Sequence, residues 1–227
     1  PGARHVHSPR SEDGAFSIGR QRDLGAEASP DGVVMFHDVD FHAPTAVYRR
    51  LAAYARTALE RDGPGAFLCA PVFFLTPVGS ATYEAAPARV LEALVASGER
   101  PKPLFADRVV LGSSAIALTR ETLLSVGGHD PAFTGHGAED FDLMHRLSLR
   151  YGKGPRPLDY DADYGARAAQ RGGFRAYFAR YGRPALDHGL ALVHQWHPPR
   201  RTDARYHAAR KENFSRLRET LRAANAR

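Results

Sequence analysis

The sequence predicts an α/β domain, and three observations point there. Apolar runs of strand length alternate with longer stretches of helical periodicity. No internal repeat or low-complexity linker divides the 227 residues, so residues 1–227 are expected to form one domain around a substantial core. Hydrophobic content of 43% is that of a globular chain, and 21 Gly with 16 Pro indicate generous turns and loops.

Taken in order, residues 16–28 read as a helix that delivers into a strand at 33–36. Pro44 suits the first turn of a helix reaching Arg61, with Val47, Leu51, Ala55 and Leu59 on one face. Residues 67–75 read as one apolar strand, followed by a loop, a helix over 88–96 and a strand over 109–118 interrupted by Gly112, Ser113 and Ser114. Thr119 is a suitable N-cap for a short helix ending at Gly127 and Gly128. A Gly-rich loop then carries Glu139 and Asp140 into a helix with Leu143 and Leu147 inward. Residues 152–189 show poor periodicity and read as a mobile loop with one short helix at most. A last strand at 190–193 leads into "HQWHPPRR", and a basic helix over 203–227 places Phe214, Leu217 and Leu221 on one stripe.

Composition excludes several classes. The longest apolar stretch, "AFLCAPVFFL", is about half the roughly 20 residues of a membrane helix and contains Pro71. One cysteine, Cys69, cannot form an internal disulfide framework and suits a reducing compartment; the expected setting is the cytosol, with peripheral contact to the inner membrane face as an alternative. The formal charge of +6 suits an anionic partner without choosing among phosphate, nucleic acid and lipid. The aromatics do not interleave with basic residues in an RNA-binding pattern, so no nucleic-acid partner is expected.

Three clusters carry chemistry. In "FHDVDF", Asp38 and Asp40 stand two apart at the end of a strand, and in extended geometry they project to the same side. Beyond strand ends is where open α/β sheets bind ligands, and two hard oxygen donors there can hold a divalent cation and through it a diphosphate. His194 and His197 follow another strand, and mixed imidazole and carboxylate donors suit manganese better than magnesium. In "GAEDFD" the acids open a helix, whose macrodipole favours the ionised carboxylate and keeps Asp140 available as a base.

In this order the clusters resemble the catalytic region of β1,4-galactosyltransferase-type sugar transferases of GT-A fold, and the related bacterial capsule and chondroitin-type polymerases. "FHDVDF" is similar to the family's metal-binding D-V-D, "GGHDPAFTGHGAEDFDL" to its acceptor and base loop, and "HQWHPPRR" to its late metal-ligand segment. The resemblance implies a Rossmann-like mixed sheet flanked by helices. It also implies inverting transfer of a hexose or N-acetylhexosamine from a nucleotide-diphosphate sugar, with UDP as nucleotide, to a saccharide hydroxyl in surface polysaccharide synthesis. By the same resemblance Asp40, His194 and His197 are metal ligands for Mn²⁺, with Mg²⁺ second, and Asp38 contacts the ribose or the metal's water shell. Asp140 aligns with the catalytic base and Glu139 with an acceptor contact, while His136 and Gly137 lie in the acceptor loop. Gly112, Ser113 and Ser114 match backbone that approaches the donor sugar, and Arg22 and Asp23 lie in the helix bordering the nucleotide.

His136 stands where the family has tryptophan and Ala138 where it has glycine. The chain opens beyond the strand and loop that cradle uracil in the family, so the first nucleotide-binding strand is expected to be missing and the chain to be part of a longer polypeptide. The residues alone also fit a metal-dependent phosphohydrolase, a basic nucleic-acid module or a non-catalytic GT-A subdomain.

Overall fold

In the computed structural model, which describes Val6 and residues 16–135, 137–169, 171–198 and 204–225, the strands divide between two sheets. They are β1 (Val33–Met35), β2 (Phe41–His42), β3 (Phe67–Cys69), β4 (Val72–Leu75), β5 (Ala106–Val110), β6 (Ile116–Thr119) and β7 (Leu192–His194). One sheet has the order β1-β6-β3 and is antiparallel. The other is mixed, with the order β2-β7-β4-β5: β4 and β7 run parallel, and both outer pairs are antiparallel.

Each long apolar run serves both sheets, which corrects the expectation of single strands over 67–75 and 109–118. Ala70 N–H still donates to the carbonyl of Ala115, just before β6 of the first sheet, at 2.8 Å, whereas the Pro71 carbonyl already accepts from Leu192 of the second at 2.8 Å. Pro71 lacks the N–H that a continuous ladder requires, so the chain changes sheets there. Residues 111–115 make the return crossing between β5 and β6.

Helices α1 (Ile18–Glu27) and α2 (Thr45–Asp62) follow the sequence pattern, with Leu51, Ala55 and Leu59 buried. The stretch expected as a loop after residue 75 is instead α3 (Pro77–Ala85), followed by α4 (Pro87–Ala96). Thr76 caps α3 by accepting from Gly79 N–H at 3.0 Å, and Pro77 occupies its first turn, where a missing N–H costs nothing. Thr119 caps α5 (Arg120–Ser125) in the expected way, accepting from Thr122 N–H at 3.0 Å.

The larger correction lies in 152–189, where α7 (Gly173–Asp187) is a core helix of 15 residues. Phe174, Tyr177, Phe178 and Tyr181 recur at helical spacing and are buried in the main hydrophobic cluster. Gly182 lets α7 lie directly on the strand crossover, because a Cβ there would collide with the Leu111 carbonyl oxygen. Helix α6 (Glu139–Ser148) buries Leu143 and Leu147, and α8 (Ala204–Asn225) closes the same core with Leu217 and Leu221. Among the described residues no helix is long and apolar enough to cross a membrane.

Candidate active site

The antiparallel pairing of β2 with β7 places Phe41 opposite His194, so Asp40 lies at the end of β7 although 154 residues separate it from that strand's last histidine in sequence. Gln195 N–H donates to the Asp40 carbonyl at 3.0 Å and holds the register. Asp40 Oδ2 stands 3.3 Å from His194 Nε2 and 3.2 Å from His197 Nε2, and the three groups offer ligand atoms all within 4.8 Å of one another. His194 is stacked on Phe74 with ring centroids 4.6 Å apart. Burial lowers its pKa against the pull of Asp40, with His197 and Arg108 adding to the fall, which favours the neutral, ligating imidazole.

His197 Nδ1 lies 3.1 Å from the Pro198 carbonyl and Nε2 lies 3.2 Å from the Asp40 carboxylate, and because both partners are acceptors only, a ring with one N–H can donate to just one of them. The tautomer that donates from Nδ1 turns the Nε2 lone pair toward the Asp40 carboxylate. Two such groups require a proton or a cation between them. One carboxylate and two imidazoles form a donor set that fits a borderline divalent ion such as manganese.

Asp38 does not share that site. Phe41 N–H donates to the Asp38 carbonyl at 3.0 Å, closing a turn, so the two aspartates are not on one face of an extended strand as expected. Asp38 Oδ1 accepts from Arg22 Nη2 at 2.7 Å, and Oδ2 accepts from the Ser114 hydroxyl at 2.8 Å. The other Arg22 nitrogen, Nη1, donates to Glu139 at 3.3 Å. Arg22 therefore joins α1, the D-x-D turn and the start of α6. Burial alone would lower its pKa, but Asp38, Asp140 and Glu139 outweigh that and raise it.

Asp140 is partly buried beside this bridge and accepts Phe141 N–H at 2.9 Å. Burial pushes its pKa up to about 6 and the neighbouring Glu139 carboxylate adds to the rise, against Arg22 and the Phe141 N–H. The expectation that the helix dipole keeps Asp140 simply ionised is thus corrected: burial and like charge outweigh the helix N-terminus. The result is a carboxyl that titrates near the working range of a general base. Just before α6, Ala138 has φ +77°, the one left-handed non-glycine among the described residues, and it is buried at 1% exposure. Strain of this kind persists only where packing enforces it.

Other expected site residues are engaged elsewhere. Both Asp23 oxygens bind His129, one from its N–H at 2.8 Å and one at Nδ1 at 2.7 Å, so Asp23 ties α1 to the Gly128 turn and does not face Asp38. Consecutive helical residues diverge by about 100°, a signal that already separates Arg22 from Asp23. Ser113 is buried, donates to the Ala70 carbonyl at 2.7 Å and accepts from Ala115 N–H at 3.1 Å, which makes it a brace of the sheet crossover. A Cβ on Gly112 would come within 2.8 Å of Phe178 Cβ, so its glycine serves the approach of α7. Of "GSS", only Ser114 reaches the acids. Gly137 has φ +90° and lies against Phe214 and Arg210 of α8. His136, and Arg200 and Arg201, the basic pair that ends "HQWHPPRR", lie outside the described residues. The bridging of two acids by Arg22 and the stacking of Phe74 on His194 were not foreseen, because both join residues brought together only by packing.

No curated protein and no solved structure matches the chain. The family model described as glycosyltransferase like family 2 matches residues 2–222. With one antiparallel and one mixed sheet flanked by helices and that match over almost its whole length, the chain belongs to the glycosyltransferase family 2-like group and is a glycosyltransferase of GT-A-like fold.

Proposed function

We propose that the protein transfers a hexose or N-acetylhexosamine, with inversion, from a UDP-sugar to a saccharide hydroxyl in surface polysaccharide synthesis, in the manner of the galactosyltransferase-type and capsule-polymerase enzymes it resembles. The observation that carries this reading is the Asp40 carboxylate facing two histidine Nε2 atoms at 3.2 and 3.3 Å. Asp40, His194 and His197 would hold Mn²⁺, which when bound offsets charge on a diphosphate leaving group.

The remaining work falls to this chain's own acids. Asp140 accepts the proton of an acceptor hydroxyl, whose oxygen forms a bond to the anomeric carbon as the bond from that carbon to the diphosphate breaks. Glu139, held by Arg22, orients the acceptor. Asp38, fixed by Arg22 and Ser114, presents a carboxylate edge to the ribose side of the donor.

The test is a radiolabelled donor screen with a panel of saccharide acceptors, with and without EDTA. Acceptor-dependent transfer that EDTA abolishes and Mn²⁺ restores is expected. Full transfer in EDTA would remove the metal, and release of labelled sugar phosphate indifferent to acceptors would make the protein a phosphohydrolase of nucleotide sugars.

A further inference from the structure

A second feature adjoins the acceptor loop. A cleft of about 420 Å³ is lined by Asp163, Arg210, Lys211, Phe214 and Arg218. Four of these come from α8 at positions that share one helix face, i, i+1, i+4 and i+8. Asp163, the single acid in the lining, is already occupied: Arg175 donates to its two oxygens at 2.6 and 3.0 Å. None of the salt bridges among the described residues is made by Arg210, Lys211 or Arg218. Three exposed cations thus line a concave space without an ion pair among the described residues, although Arg210 feels the charge of Asp163 and lies 4.8 Å from the Phe214 centroid.

The position of this cleft gives it meaning. Phe214 and Arg210 are the side chains that a Cβ on Gly137 would meet, at 3.1 and 3.4 Å, and Gly137 lies three residues before Asp140. Phe214 also faces Phe141, the residue after Asp140, with ring centroids 6.3 Å apart. The Arg175 guanidinium lies 4.6 Å from the Phe141 centroid and 5.7 Å from that of Phe214, so a single stack of rings and cation runs from the base helix to the cleft.

We propose that this cleft seats an acidic acceptor saccharide, its carboxylate or phosphate held by Arg210, Lys211 and Arg218 while a sugar ring lies against Phe214. Guanidinium and ammonium groups form the strongest hydrogen bonds available to such anions, and a concave site with an aromatic wall suits a ring better than a flat lipid surface does. The inference rests on the transferase reading above and specifies its acceptor: a negatively charged glycan, such as one ending in a uronic acid or a sugar phosphate. In that reaction a preceding transfer must leave an acidic sugar at or next to the growing end.

The experiment is calorimetric titration of the full chain, without donor, with a glucuronate-terminated disaccharide, its neutral methyl ester and a phosphate-terminated disaccharide. The double variant Lys211→Ala/Arg218→Ala is titrated alongside, both positions being exposed. At least one acid should bind about tenfold more tightly than the ester, and that preference should vanish in the variant and in high salt. Equal binding of acid and ester, no binding of either acid, or a preference retained by the variant would overturn the proposal. So would the variant losing only adhesion to phosphatidylglycerol vesicles, which would make the face a membrane seat. Binding of Mn²⁺ with UDP is measured in parallel and should be equal in both proteins. Its absence from the unaltered chain would count against the transferase reading alone, whereas its presence without acid preference would count against the acidic acceptor alone.

Discussion

Arg22 lies 2.7 Å from Asp38, and with its other arm 3.3 Å from Glu139, so one guanidinium holds two acids that come from different ends of the fold. Its side chain is 11% exposed, as dry as that of Glu139 at 10%, whereas Asp38 at 36% is half in water. The bridge is therefore expected to matter most on the Glu139 side, where solvent screens it least.

Replacing Arg22 with Met should destabilise the fold by roughly 2 to 3 kcal/mol, less than a fully buried pair would lose because Asp38 stays hydrated. Arg22 also opposes the rise in the Asp140 pKa, so its removal should push that pKa higher still. Urea unfolding measures the first effect. The acid limb of the kcat/KM profile should move to higher pH, and an unmoved limb would separate Arg22 from the base.

The Asp140→Asn variant should lose about 10²- to 10⁴-fold in transfer while binding donor normally. Its stability should change in the opposite sense. The folded pKa, near 6, lies above the ordinary 3.8, so the carboxyl's favourable contribution is full below pH ~4 and is lost as pH rises through 6. At pH 8 the asparagine variant should therefore be more stable than the parent, on the order of 2 kcal/mol, with no gain at pH 4. Thermal melts at the two pH values test this, and a variant equally stable at both would refute the pKa assignment.

His197→Ala and His194→Ala should part company. His197 is 45% exposed, so its truncation should weaken Mn²⁺ binding about tenfold or more with little change in metal-free Tm. His194 is 20% exposed and stacked on Phe74, so its loss should cost metal affinity and also about 1 to 2 kcal/mol of metal-free stability. Metal-titrated donor binding beside thermal unfolding resolves the two. Unchanged metal affinity in both variants would remove the histidines from the site and leave Asp40 as its one remaining ligand.

Asp23→Ala should behave as a structural lesion. It strips a buried histidine of two hydrogen bonds, which should cost about 2 to 3 kcal/mol. The kcat/KM of the molecules that remain folded should stay near that of the parent. A large rise in donor KM at full foldedness would instead return Asp23 to the nucleotide site.

Local order in the sequence was enough for much of this protein. Amphipathic spacing in α2, the Thr119 cap and the apolar strands are legible because they depend on contacts within a few residues. The Thr-Pro pair that opens α3 and the i, i+3, i+4, i+7 aromatics of α7 carried similar signals, though glycines and arginines interleaved with the α7 aromatics mask its period.

The acids and histidines of the site were likewise visible as types at the ends of strands. Tertiary structure alone decided their partners. A turn at Asp38 separates two aspartates that sequence spacing places together, and the β2–β7 pairing unites Asp40 with His194 across 154 positions. Packing of α1 on α6 brings Arg22 to Glu139, and burial beside that acid sets the Asp140 pKa. Residue type and short-range periodicity are properties of the chain, whereas charge pairing and desolvation depend on distances that exist only after the sheets and helices have packed.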